Sequence, residues 1–388
     1  MEPPEEKSEI AMFKFRSASA VVSLVFICAC GSAPGGRPAA TSSANPSTPP
    51  PNVNRTVLVS FEDDRQIGGQ AKVIFTGMDG TMVATVPGQG VGDEHAIGAY
   101  LVTAADGSGA EWTVDPAGKV RPVAAAAAAL LTVNKPGFPL ILDSTTAIIG
   151  CNPAPNLDCT ADEVNMTTGA VVALLTAPST GAAAMQLGPA LTVLDVSSDL
   201  RTVWFREVAP QGSSGKLDIA AVDLRTDTVT RYPLPAALLY EQDLAISRDG
   251  KWVAGQEDAG LDSNNVATRH LHLVSLATGT DTDIQGSATY VAGAHTPSIQ
   301  FSPGGATIAW WGSLNSGGIG KRVNVAPLGG VGTTLVNQAE PLENVLWLDS
   351  NRLVVQDDHG AIFTIDSRTR EVAGLNGTVQ YLLAVLHA

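Results

Sequence analysis

Charge and aromatic rings are both scarce in this chain. Asp, Glu, Lys and Arg make up 16% of its 388 residues, and Phe, Trp and Tyr only 5%. No cluster of Lys or Arg occurs, and the net charge is −15. A protein that grips DNA or RNA needs a basic face to neutralise phosphates, so nucleic-acid binding is excluded as an expectation, and so is direct binding to anionic lipid headgroups. Acidity of this size serves mainly solubility. Long apolar runs are absent too. The longest, Ser17 to Ala29, is well short of the roughly 20 residues a spanning helix needs. Cysteine is limited to four residues, and the sequence offers no Gly-x-Ser-x-Gly elbow and no phosphate-cradling loop opening a helix. Gly88-Gln89-Gly90-Val91-Gly92 has the glycines but no helix pattern after it. What is abundant is glycine (39), proline (24) and small apolar side chains. That composition suits an all-β protein with many turns.

The first 54 residues are set apart from the rest. Lys14 and Arg16 give a short basic start, and Ser17 to Ala29 an apolar stretch that ends in small residues, the layout of a secretory signal. Four glutamates precede Met12, so Met12 is the expected translation start. The run Leu24-Val25-Phe26-Ile27-Cys28-Ala29-Cys30-Gly31 resembles the lipobox of bacterial lipoprotein precursors, with an aliphatic residue three before Cys30 and a small one directly before it. The resemblance implies cleavage after residue 29, lipidation of Cys30 (palmitate among the chains) and attachment at the cell envelope. The protein would then face the periplasm or the cell exterior, and several acyl chains would hold it firmly. Residues 30–54 are rich in Pro, Ser, Thr and Gly and have almost nothing large enough to bury, which predicts a disordered tether.

Residues 55–388 form the predicted globular domain. Its two cysteines, Cys151 and Cys159, flank a Pro- and Asn-rich loop. In an oxidising compartment two such thiols are expected as a disulfide.

An internal repeat dominates this region. Ala245-Ile246-Ser247-Arg248-Asp249-Gly250-Lys251-Trp252-Val253 reads as a strand, a polar turn and a second strand. Copies begin at Gln300, Asp195 and Leu346, and weaker ones at Leu140 and Phe75. Each is followed by a strand, a Thr/Gly-type turn and a return strand, as in Leu273-Val274-Ser275-Leu276-Ala277-Thr278-Gly279. Two hairpins per unit make a four-stranded blade whose faces need neighbours to cover them. The expectation is a β-propeller of six or seven four-stranded blades, with strands from the two chain ends completing one blade. Ala124 to Ala129 interrupts the pattern, either as a short helix or as an insertion at a strand edge. The turns at Ser247 and at Phe301-Ser302-Pro303-Gly304-Gly305 resemble the WD-like repeat of TolB-type propellers. That family's propellers serve as binding platforms or cover hydrolase domains.

Chemistry is sparse. His270 and His272 alternate on a strand and could share a face, yet no acidic partner at matching spacing completes a metal site. Asp63-Asp64, Asp281-Thr282-Asp283 and Asp357-Asp358 lack the spacing of a calcium loop. Three residues are candidates to face a ligand: His295 in a loop before a predicted inner strand, His95 in a Gly-rich loop, and Trp311. Trp311 follows Trp310 on a strand and must point the other way, which makes it the candidate for exposure at a rim. No catalytic set, cofactor or metal is expected. The functional expectation is a lipid-anchored binding or scaffold module for a protein, peptide or glycan. The alternatives are an enzyme of lyase, cyclase or hydrolase type with its site in the central channel, and a structural envelope component.

Overall fold

The computed structural model describes residues 56–387, apart from 66–68, 91–95, 134–138, 152–158, 178–190, 209–216, 236–237, 239–243, 262–266, 285–288, 291–298, 313–321 and 338–341. The proposed signal and tether lie outside the described residues.

The chain forms a seven-bladed propeller. The first blade contributes β1 (Thr56–Asp63), β2 (Ala71–Gly77) and β3 (Met82–Pro87). Blade 2 holds β4 (Gln89–Gly90), β5 (Tyr100–Thr103), β6 (Glu111–Val114) and β7 (Val120–Pro122), followed by the helix α1 (Ala125–Val133). Blade 3 holds β8 (Leu140–Ile141), β9 (Thr146–Ile149), β10 (Cys159–Asn165) and β11 (Val171–Ala177). Blade 4 holds β12 (Leu191–Val196), β13 (Thr202–Val208), β14 (Leu217–Asp223) and β15 (Thr228–Pro233). Blade 5 holds β16 (Ala245–Ile246), β17 (Trp252–Leu261), β18 (Ala267–Ser275) and β19 (Asp281–Asp283), with β20 (Thr289–Tyr290) also paired to β18. Blade 6 holds β21 (Ile299–Phe301), β22 (Thr307–Gly312), β23 (Arg322–Pro327) and β24 (Thr333–Asn337). Blade 7 holds β25 (Leu342–Trp347), β26 (Arg352–Asp357), β27 (Ala361–Asp366) and β28 (Val372–Thr378). The last strand, β29 (Tyr381–His387), returns to blade 1 and pairs antiparallel with β1, from Thr56 opposite His387 to Phe61 opposite Tyr381.

All seven sheets are antiparallel, and from blade 4 round to blade 1 the first strands β12, β16, β21, β25 and β29 touch in succession, which places them around the axis. The closure by both chain ends is as expected from sequence. Blade 7 holds β29 in place with side chains. Gln356, buried, donates from Nε2 to the Val379 and Gln380 carbonyls (3.0 Å each) and accepts the Leu382 N–H at 2.6 Å. Asn344 Nδ2 donates to the Leu382 carbonyl at 2.6 Å.

The six copies read from sequence fall one short of the seven blades, and both departures from the repeat lie near the N-terminus. The weak copy at Phe75 is the outer hairpin of blade 1, β2 to β3, because the inner strand of that blade comes from the other end of the chain. Blade 2 begins on a two-residue strand inside the Gly88–Gly92 run, and its first two strands are joined by nine residues instead of a Ser/Asp turn. Its strands are two to four residues long and cover little of blade 3. The alanine run supplies the rest as α1, where Ala127 and Leu131 are buried with Leu101 of blade 2 and Ile149, Val164 and Met166 of blade 3.

Strand alternation divides the ring into two faces. First-to-second and third-to-fourth strand connections share one face, the turn face, and apart from the nine-residue link in blade 2 they are four or five residues long. The other face, the loop face, carries the second-to-third and blade-to-blade connections, which reach 17 residues between β7 and β8 and 13 between β11 and β12. The turn face is locked by its own chemistry. Ser247, fully buried, accepts the Trp252 N–H on Oγ at 3.0 Å, donates to Asp249 at 2.7 Å and takes the Gly250 N–H on its carbonyl at 2.8 Å. Ser197 repeats the pattern with Thr202, Asp199 and Leu200. Ser302 repeats its backbone half with Thr307 and Gly305.

Candidate functional site

A cleft of about 300 Å³ opens on the loop face at the seam between blades 1 and 2. Three short segments build it. Arg65, Gly69 and Gln70 come from the β1–β2 hairpin, Pro87 and Gly88 from the link between blades, and Ala104, Asp106 and Trp112 from the β5–β6 hairpin. Each is held by local physics. The Gly69 N–H donates to the Asp64 carbonyl at 2.9 Å, which closes the first hairpin. Gly88 has φ of 149°, and a Cβ there would lie 2.5 Å from the Thr103 carbonyl oxygen, so only glycine lets the two blades approach. The Ala104 N–H donates to the Ala110 carbonyl at 2.8 Å. Trp112 sits on β6 between Val102 of β5 and Pro122 of β7, half-buried, with one part of the indole on the core and another on the cleft.

The charges around the cleft are largely spent locally. Arg65 donates from Nε to Asp63 at 2.7 Å, and this bond holds the Asp63 carboxyl below its usual range and the guanidinium above it. Lys72 spans Glu62 (2.8 Å) and Asp64 (3.2 Å). Hydrogen bonds from Ser108 likewise lower the Asp106 carboxyl. The cleft therefore offers an aromatic surface beside a cation, a carboxylate and the Gln70 amide, with little net charge. An indole face with flanking donors and acceptors suits a neutral, hydrogen-bonding ligand.

At the turn-face end of the axis a second group of ionisable side chains gathers. Arg248 of blade 5 pairs with Asp195 of blade 4 at 3.5 Å, and both Arg248 and Asp349 of blade 7 lie within electrostatic reach of His387 at the end of β29. Solvent reaches much of His387, yet the surrounding turns desolvate the ring. That desolvation, helped by Arg248 and opposed by Asp349, lowers its pKa.

The residues singled out from sequence are dispersed. Cys151 and Cys159 are joined by a disulfide, with Cα atoms 5.7 Å apart, both buried in the wall between blades 3 and 4. Cys30, His95 and His295 lie outside the described residues. Trp311 is buried rather than exposed at a rim: alternation does send Trp310 and Trp311 to opposite sides, but β22 is covered on both, Trp310 by blade 5 and Trp311 by blade 7. His272 Nδ1 bonds Asp281 at 2.9 Å across the outer strands, and the His270 side chain lies outside the described residues. Asp357, Asp358 and His359 come within 4.8 Å of one another, but they are consecutive in one tight turn, where Asp357 accepts the His359 and Ala361 N–H groups. Trp112, Arg65, Gln70 and Asp106 were missed from sequence. They come from separate hairpins with no shared motif, and only the pairing of blades 1 and 2 brings them together.

No family model matches the chain, and no curated protein does. Solved structures match it at low identity. TolB from Acinetobacter baumannii shares 12% identity over 86% of this chain and 66% of its own, with a TM-score of 0.42. Oligogalacturonate lyase from Vibrio parahaemolyticus shares 14% over 60% and 62%, also with a TM-score of 0.42. The β-propeller domain of the Trilobed protease from Pyrococcus furiosus shares 9% over 82% and 84%, with a TM-score of 0.44. The chain spans just under two thirds of the length of the first two. These likenesses concern fold alone, and the propeller assignment stands on the strand pairing described above.

Proposed function

We propose that this chain is a lipid-anchored, extracytoplasmic β-propeller that binds a peptide or glycan segment of a partner in the cleft between blades 1 and 2. The observation that carries the reading is the cleft itself. It opens on the face with the long connections, and it pairs a half-buried indole with Arg65, Gln70 and Asp106. Ligand sites concentrate on loops held by a rigid scaffold, and the short, buried-serine turns on the opposite face supply that rigidity. The lipobox-like run ending at Cys30 supports the anchoring half of the proposal.

The test is a set of peptide and glycan arrays probed with the full chain and with Trp112→Phe and Gln70→Ala. Both variants are expected to lose at least about tenfold in apparent affinity for the same array members, the scale of one good hydrogen bond or ring contact. Thermal unfolding reports whether each variant remains folded. Array binding that neither substitution weakens would remove the cleft from the proposal. Membrane fractionation of Cys30→Ala tests the anchor, with release into the soluble fraction expected.

A further inference from the structure

Six of the eight large exposed apolar side chains among the described residues follow a pattern around the ring; Leu200, in the inner turn of blade 4, and Tyr381, at the loop-face start of β29, stand apart from it. The first residue of the outermost strand is apolar and exposed in four consecutive blades: Val372 in blade 7 (49%), Met82 in blade 1 (69%), Val120 in blade 2 (44%) and Val171 in blade 3 (46%). Val172 extends it in blade 3, and Val331, in the outer turn of blade 6, extends it on the other side. In blades 4 and 5 the same slot holds Thr228 and Asp281. All these positions lie at the rim of the turn face, and neighbouring blades touch along it. Met78 packs against the core of blade 7, and a Cβ at Gly118 of blade 2 would meet Val83 of blade 1. The result is an apolar arc over about half the circumference of the turn face, broken by the nine-residue link of blade 2 and bordered in blade 3 by α1, whose Ala126 lies against Gly169.

Charge along the arc is arranged to suit an interface. Asp79, Asp115 and Asp366 turn their carboxylates inward to accept backbone N–H groups of their own turns, at 2.8–3.0 Å. Arg368, Arg370 and Lys119 are exposed beside Val372 and Val120, with Glu371 the carboxylate among them. Long basic side chains can lay their stems on an apolar surface and lift their charge to headgroup phosphates. The polypeptide enters the fold on this face, because Thr56 pairs with His387 at the turn-face end of blade 1. The 25 residues between Cys30 and Thr56 span on the order of 25–30 Å as a flexible coil.

We infer that the apolar arc on blades 7, 1, 2 and 3 rests on a zwitterionic lipid surface, which turns the loop face and its cleft away from the membrane. The inference rests on the anchoring reading above. The net charge of −15 opposes contact with a second copy of the chain, and it weakens the approach to anionic lipid. A neutral bilayer interface carries no such repulsion and accepts scattered Val and Met side chains without a matching pocket.

The experiment uses the full chain on phosphatidylcholine vesicles, carried by its own anchor or, where fractionation leaves it soluble, by a hexahistidine tag on nickel-chelating lipid. A failure of anchoring is thereby read separately from a failure of docking. An environment-sensitive fluorophore is placed singly on Met82→Cys, Val372→Cys and Thr228→Cys. Emission from positions 82 and 372 is expected to shift to the blue on vesicles and to be quenched by lipid-borne quenchers, while position 228 stays unchanged. The paired variant Met82→Asp/Val372→Asp is expected to abolish the quenching and, without an anchor, to bind vesicles about five- to tenfold more weakly. Labels at 82 and 372 as wet as the label at 228 would overturn the inference. Protection at 82 and 372 that grows with protein concentration in the absence of lipid would also overturn it, because a second copy would then cover the arc.

Discussion

The two faces of the ring are made by the same strands and differ in almost everything else. On the turn face, connections that, apart from the link in blade 2, are four or five residues long satisfy their own hydrogen bonds through Ser, Asp and Asn side chains, with Ser247 and Ser302 buried, and through residues at positive φ. Adjacent turns also touch. The Ser198 N–H reaches the Arg248 carbonyl at 3.4 Å, and Gly250 lies against the Trp204 ring. On the loop face connections range from one residue between β3 and β4 to 17 between β7 and β8, and the cleft sits among them. A propeller can vary one face because the other is over-determined. Stability should therefore concentrate on the turn face and binding on the loop face, and substitutions can test that division.

The largest effect is expected at Gly250. It has φ of 68°, and a Cβ there would lie 2.6 Å from the Trp204 ring. Gly250→Ala combines left-handed strain with a clash in the wall between blades 4 and 5, and should cost about 2–4 kcal/mol by urea denaturation. An unchanged denaturation midpoint would mean that the turns do not carry the stability assigned to them.

The disulfide is the loop face's exception. It closes the β9–β10 connection, and Cys151 also exchanges backbone hydrogen bonds with Leu191 of blade 4, at 3.0 and 3.4 Å. Replacing both cysteines by Ala should cost about 2–3 kcal/mol on the chain-entropy argument, measured by the same denaturation. A smaller loss would say that the backbone bridge to blade 4 already holds this loop.

Leu200 sharpens the comparison in the opposite direction. It occupies in blade 4 the slot that Gly250 fills in blade 5, with φ of 57°, and its side chain is exposed. Leu200→Gly should therefore stabilise by about 1 kcal/mol, through relief of left-handed strain that no packing compensates.

The same division explains what could be read from the sequence. The Ser-x-Asp-Gly and Thr-Gly turns are local devices, since each satisfies its hydrogen bonds within five residues, and so five of the seven blades stand out. Blade 1 showed only as a weak copy at Phe75 and as the expected closure by both chain ends, because its inner strand lies at the far end of the sequence, and blade 2 was hidden because its strands are too short to show alternation. Periodicity also placed Trp310 and Trp311 on opposite sides of a strand but could not tell that both sides are covered. The cleft depends on two hairpins and an interblade link meeting at the seam of blades 1 and 2, a long-range fact with no local signature. The apolar arc was equally hidden, because single exposed Val and Met residues gain meaning only when the blades are set side by side.

The smallest expected effect concerns His387, where the turn face meets the axis. Desolvation by the surrounding turns, then Arg248, hold its folded pKa below the ordinary value of 6.5, with Asp349 acting against them. Above that ordinary value the imidazole is neutral in both states and contributes no pH dependence. As pH falls through it, the unfolded chain takes up the proton first, so stability declines, and the decline levels off once pH is below the folded pKa. His387→Gln should flatten the stability profile across this window while leaving the neutral-pH midpoint nearly unchanged, as read from urea denaturation at a series of pH values. An equally steep profile in the variant would mean that the axial end of the turn face is too well solvated to bias this proton, and the tight packing inferred for the turns would then stop short of the axis.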